Sequence, residues 1–108
     1  MSSFNDFAGQ VKDGAIELAK DLFDGFEKQA AKDAAAFLEK TKQDLKRWTT
    51  LLAHKEITEE DFSDLVHAKK ALAEIHALRQ AGIALIKLEK FRSGLVNLVI
   101  DRAFAVFL

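Results

Sequence analysis

Apolar and small residues recur at helical spacing through the first half of the chain. The stripe runs Phe4, Phe7, Val11, Ala15, Leu18, Leu22, Phe26, Ala30, Ala34, Phe37, Thr41, Leu45, Trp48 and Leu52. Its mean step is about 3.7 residues, close to the 3.6 of an α-helix, so one face stays in phase for the whole span. Ser3 or Asn5 is placed to cap the start. Asp24-Gly25 is the only turn-like pair in this half, and the stripe does not slip across it. The phase favours one long, kinked helix over two helices meeting at a corner. A glycine inside a helix costs only about 1 kcal/mol relative to alanine.

A firm boundary follows at His54-Lys55-Glu56-Ile57-Thr58. Thr58 is a good N-cap, and Glu59, Glu60 and Asp61 fill a first turn where acids meet the positive end of the helix dipole. Thr58-x-x-Asp61 has capping-box spacing, and Ile57 with Phe62 makes a hydrophobic staple. Beyond Thr58 a second stripe reads Phe62, Leu65, Ala68, Leu72, Ile75, Leu78, Gly82, Leu85, Leu88, Phe91, Leu95 and Leu98. Gly82 and Ser93-Gly94 are its possible interruptions, and Gly82 could instead admit a closely approaching helix. From Gly94 to Leu108 only Asn97, Asp101 and Arg102 are polar, the mark of a helix covered on most sides.

These patterns predict an all-α fold, a single domain over residues 1–108 with two arms at about 4–53 and 58–108. If the arms bend near Gly25 and Gly82, they form a four-helix bundle. If they stay straight, they form a hairpin of roughly 75 Å at about 1.5 Å per residue. A hairpin would need a second copy, packed in coiled-coil fashion, to cover its apolar faces.

Composition agrees. Among 108 residues there is no proline, and 49% are hydrophobic against 31% charged, a balance suited to a folded chain rather than a disordered one. The 16 bases and 17 acids leave a formal charge of −1, spread evenly between the halves. Nucleic-acid binding is therefore not expected. No cysteine is present, which excludes disulfides and thiolate chemistry and fits a reducing, cytoplasmic setting. The N-terminus lacks the basic and apolar regions of a secretory signal, and no segment is apolar for about 18 residues, so no transmembrane helix is expected.

The stretch Leu51-Leu52-Ala53-His54-Lys55-Glu56-Ile57-Thr58-Glu59-Glu60-Asp61-Phe62, with Lys69 and Lys70 beyond it, resembles the SHOCT (short C-terminal domain) motif. That motif is a helix ending in Leu-Leu, a short loop, and Ile-Thr-Glu-Glu-Glu-Phe opening the next helix. The resemblance covers residues 51–70, without the glycine usual in the loop. It implies a small helical interaction module with no catalysis.

Candidate chemistry is sparse. Asp64-x-x-His67 is half of a di-iron bundle signature, with Asp for Glu and no second copy. His67 and His76 lie nine residues apart, not one helical turn. No serine sits in a nucleophile elbow, and no glycine-rich phosphate loop exists. Lys40, Lys42, Lys46, Arg47 and Trp48 form the most basic cluster, but Trp48 belongs to the apolar stripe. The sequence therefore predicts no enzyme, no cofactor and no metal site. The C-terminal run offers Phe91, Leu95, Leu98, Val99, Phe104 and Phe107 as the expected interaction residues. Lys87, Lys90 and Arg92 flank it, a combination that also suits a membrane surface. The expected function is helical self-association, as a dimer or with a helical protein partner. The alternative is a peripheral lipid-binding protein.

Overall fold

A computed structural model describes residues 3–108, so Met1 and Ser2 of the N-terminal stretch lie outside it. Its elements are α1 (Ser3–Phe23), α2 (Glu27–Ala53), α3 (Glu59–His67), a 3-10 turn (Lys70–Leu72), α4 (His76–Gln80) and α5 (Leu85–Phe107). Ser3 and Asn5 both lie within α1 rather than at its cap. Helix makes up 83% of the structure, with no strand among the described residues. That is far above the usual third for globular proteins.

The expectation of one helix through Gly25 is corrected. Asp24, Gly25 and Phe26 all take positive φ, at 54°, 150° and 64°, and the chain reverses. The stripe stays in phase because these three residues consume about one helical turn. Both helices then present the same face inward. Phe7, Val11, Ala15 and Ala19 of α1 are buried, as are Ala30, Ala34, Phe37, Leu45, Trp48 and Leu52 of α2. Of the two expected architectures the structure takes the bent one, the four-helix bundle, since the longest dimension is 42 Å and not the roughly 75 Å of a hairpin with straight arms at about 1.5 Å per residue. The observed dimension is about the length of α2 alone, 27 residues at about 1.5 Å each.

The result is an up-down-up-down four-helix bundle with a broken third column. Column one is α1, column two is α2, and column four is α5. The third column is assembled from α3, the 3-10 turn and α4. Ring contacts fix the antiparallel pairing of α1 and α5: Phe7 lies 5.8 Å from Phe107 at one end, and Phe23 lies 5.8 Å from Phe91 at the other. Phe62 of α3 meets Phe104 of α5 at 5.9 Å. Helix α5 packs against α1 and α3 and, across the bundle, α2. Three neighbours explain why its sequence is apolar on nearly every side.

The Thr58 boundary is as the sequence predicts. Its hydroxyl accepts from the Asp61 N–H at 3.0 Å, and the Asp61 carboxylate accepts from the Thr58 N–H at 3.1 Å. Before it, α2 closes in a Schellman arrangement. The Glu56 N–H donates to the Leu51 carbonyl, and the Lys55 N–H to that of Leu52, with Lys55 at φ 61°.

The third column is held by polar contacts on both flanks. On the α2 side, Asp44 pairs with Lys69 at 2.9 Å and Lys40 pairs with Glu74. The buried Asp33 carboxylate accepts from the N–H groups of Ala77 and Leu78, each at 2.9 Å. On the α5 side, Lys70 donates to Ser93 at 2.9 Å, and Arg92 to the Ala73 carbonyl at 2.8 Å. Ile75 sits between these contacts at φ 49°, an unfavourable backbone for a β-branched residue. Its side chain is buried, and the Asp33 clamp satisfies the donors that Ile75, with no side-chain cap of its own, leaves open.

Candidate interaction surface

The six residues expected to meet a partner are directed largely into the bundle. Phe91, Leu95 and Val99 are fully buried, so nothing docking on the folded chain reaches them. Leu98 is half-buried and lies over Gly14 of α1. Phe104 and Phe107 are half-buried, each with one ring neighbour inside the chain. The apolar run that asked for several neighbours thus finds them among its own helices.

The histidines are surface groups. His67 Nδ1 lies 2.8 Å from the carbonyl oxygen of Ser63, one turn earlier on the same helix. His54 lies 3.6 Å from Glu56, and His76 lies 3.4 Å from Glu74. No group of three or more His, Asp or Glu side chains among the described residues is arranged to hold a metal ion. Asp64 and His67 are brought to no second carboxylate–histidine pair. Within the basic cluster, Trp48 is buried, Lys69 lies 5.9 Å from its ring centroid, and Arg47 pairs with Asp44.

Two carboxylates of the third-column seam have shifted acidities. A hydrogen bond from Lys69, with its charge and that of Arg47, holds Asp44 below its ordinary value. A hydrogen bond from Lys40 and its charge do the same for Glu74, with a smaller contribution from His76. The shallow groove beside Glu74, about 260 Å³, is lined by Phe37, Lys40, Leu72, Ile75 and His76 among others. Its charged groups largely answer one another, so it presents no convergent set for catalysis.

Of the five exposed large apolar side chains among the described residues, Leu72 and Leu108 stand apart, and the other three lie at the end that carries both the 24–26 and the 81–84 turns. There Leu85 is 80% exposed, Ile86 is 70% and Phe26 is 40%. Phe26 stands 6.4 Å from Phe23, whose ring in turn lies 5.8 Å from that of the buried Phe91, inside α5. The start of α2 also flanks the end of α4: Lys28, Gln29 and Lys32 face Ala77, Gln80 and Ala81 across one groove. Sequence reading placed Phe26 and Leu85 on inward stripes. The turns beside them take them off the core. Of the described residues, no helix is long and apolar enough to cross a membrane.

Compared with family models, curated proteins and solved structures, the chain matches none.

Proposed function

We propose that the chain is a non-catalytic helical module that works by self-association or by binding another helical protein. The carrying observation is the contrast between a bundle that covers most of its own C-terminal run, Leu108 excepted, and one end that leaves Leu85, Ile86 and Phe26 in water. Large apolar side chains gathered at one place on a folded surface favour a contact. The SHOCT-like stretch at residues 51–70 supports the same class of role, and the cysteine-free composition supports a cytoplasmic location. A second reading, attachment to a lipid surface, draws on Lys87 and Lys90 beside Leu85 and Ile86.

Light scattering over a concentration series, with and without anionic vesicles, separates these readings. A mass rising toward twice that of the chain supports self-association. Co-sedimentation with vesicles supports the lipid reading. A constant monomer mass at the highest concentration overturns self-association, and with no vesicle binding leaves only a foreign protein partner for the module.

A further inference from the structure

The exposed end carries more than apolar side chains; its charge is divided between its two turns. Residues 21–28, around the first turn, hold Asp21, Asp24 and Glu27 against one base, Lys28. Residues 79–90, around the second, hold Arg79, Lys87 and Lys90 against one acid, Glu89. Glu89 is already engaged by Arg92 at 3.1 Å and lies 3.8 Å from Lys70. Among the described residues, Asp21, Asp24, Glu27, Arg79, Lys87 and Lys90 form no ion pair. The helix dipole favours Arg79, in the last turn of α4, but not Lys87 at the start of α5. The first turn of α5 holds no acid, although acids are what stabilise that position.

We propose that this end is a self-complementary docking surface for a second copy of the chain, with Phe26, Leu85 and Ile86 at its centre. The inference rests on the self-association reading and names its surface. In a two-fold contact each patch meets the same patch of the other copy. The acidic turn of one copy then faces the basic turn of its partner on both sides of the axis. Such an arrangement steers encounter and fixes orientation, while the apolar centre supplies the driving force. A negatively charged membrane fits less well, because Asp21, Asp24 and Glu27 would approach it together with the bases. Leu108, beside Lys55, Glu59 and Glu60 at the other end of the bundle, is a single exposed apolar side chain, whereas this end gathers three.

The test uses two charge variants of the full chain, Asp21→Lys with Glu27→Lys and Lys87→Glu with Lys90→Glu. None of these side chains is in the core, and circular dichroism verifies that both proteins fold. Each variant alone sets like charges against each other, and its dimer is expected to be at least about tenfold weaker than wild type. Mixing the two restores association as a heterodimer, read by sedimentation equilibrium. Leu85→Ser with Ile86→Ser also lowers association, and added salt weakens the wild-type dimer. Wild-type chains that associate while all three variants associate equally well overturn this surface but leave self-association standing. Variants that dissociate but do not recover on mixing overturn the charge pairing. A wild type that stays monomeric, with or without capture by anionic vesicles, overturns both.

Discussion

Leu98 of α5 lies where a side chain on Gly14 of α1 would have to go. A Cβ at Gly14 would fall 2.7 Å from Leu98 Cδ2. One turn away the roles exchange, and a Cβ at Gly94 would fall 2.5 Å from Leu18 Cδ2. The two Gly-x-x-x-Leu segments therefore grip each other reciprocally, and α1 and α5 approach closely along their middle.

That approach predicts a size-dependent response at Gly94. Gly94→Ala should stay within about 1 kcal/mol of wild type, because a gain in helix propensity of about that size opposes the displacement of a mobile leucine methyl. Gly94→Leu should cost about 1–3 kcal/mol by overpacking. Urea unfolding measures both, and a Gly94→Leu protein as stable as wild type would contradict the close packing.

Thr58→Ala removes half of the capping box seen at α3. The expected loss is about 0.5–2 kcal/mol. An unchanged urea midpoint would show that the box does not contribute.

Lys55→Gly is expected to stabilise the protein. Lys55 occupies the left-handed position of the α2 terminus, where a side chain costs about 1–2 kcal/mol and glycine escapes that penalty at some entropic cost. A net gain of about 0.5–1 kcal/mol should appear as a raised melting temperature; destabilisation would count against this backbone geometry.

Asp33→Ala leaves the N–H groups of Ala77 and Leu78 without their acceptor. Asp33 is only 5% exposed, and bonds to a charged group are worth about 1.5–3 kcal/mol. The loss should fall in that range or above, with faster hydrogen exchange concentrated at residues 76–81. Exchange that rises uniformly along the chain would mean that Asp33 does not fasten α4 in particular.

Acid should loosen the same column. Asp44 and Glu74 have folded-state acidities held below their unfolded values by Lys69 and Lys40. Their contribution is therefore fully present above the unfolded carboxylate range, about pH 4. It is lost as pH falls from there through the lower folded values. Lys69→Met should flatten the urea midpoint's dependence on pH below about 4, and an unaltered slope would remove Asp44 from the account.

The fold was legible wherever local chemistry and the core agreed. The stripe from Phe7 to Leu52 is buried except for the half-buried Leu18 and Leu22 and the exposed Phe26, and the Thr58 cap lies where its side-chain chemistry requires. The glycines were harder, because spacing does not distinguish a turn from a close approach. Gly82 takes φ 82° with open space around it, so it ends a helix. Gly94, which looked like an interruption, lies inside α5 against Leu18. The break between α3 and α4 carries no glycine or proline at all. It depends on long-range partners, Asp33 to α4, Asp44 to Lys69 and Arg92 to Ala73, that no local pattern contains. The exposed end was missed for a related reason. Leu85 continues the stripe in sequence, but the turn at Gly82 rotates it out of the core.

The pairing of α1 with α5 also orders events during synthesis. Phe7 finds Phe107 only across almost the whole sequence, and long-range contacts of this kind form slowly because loop closure precedes their reward. Until α5 emerges, α1 has only α2 to pack on, and the inner face that bears Phe7 and Val11 stays partly wet. A nascent chain whose α5 has not yet emerged would therefore be a ligand for chaperones, whereas one released with α5 free to dock on α1 would not.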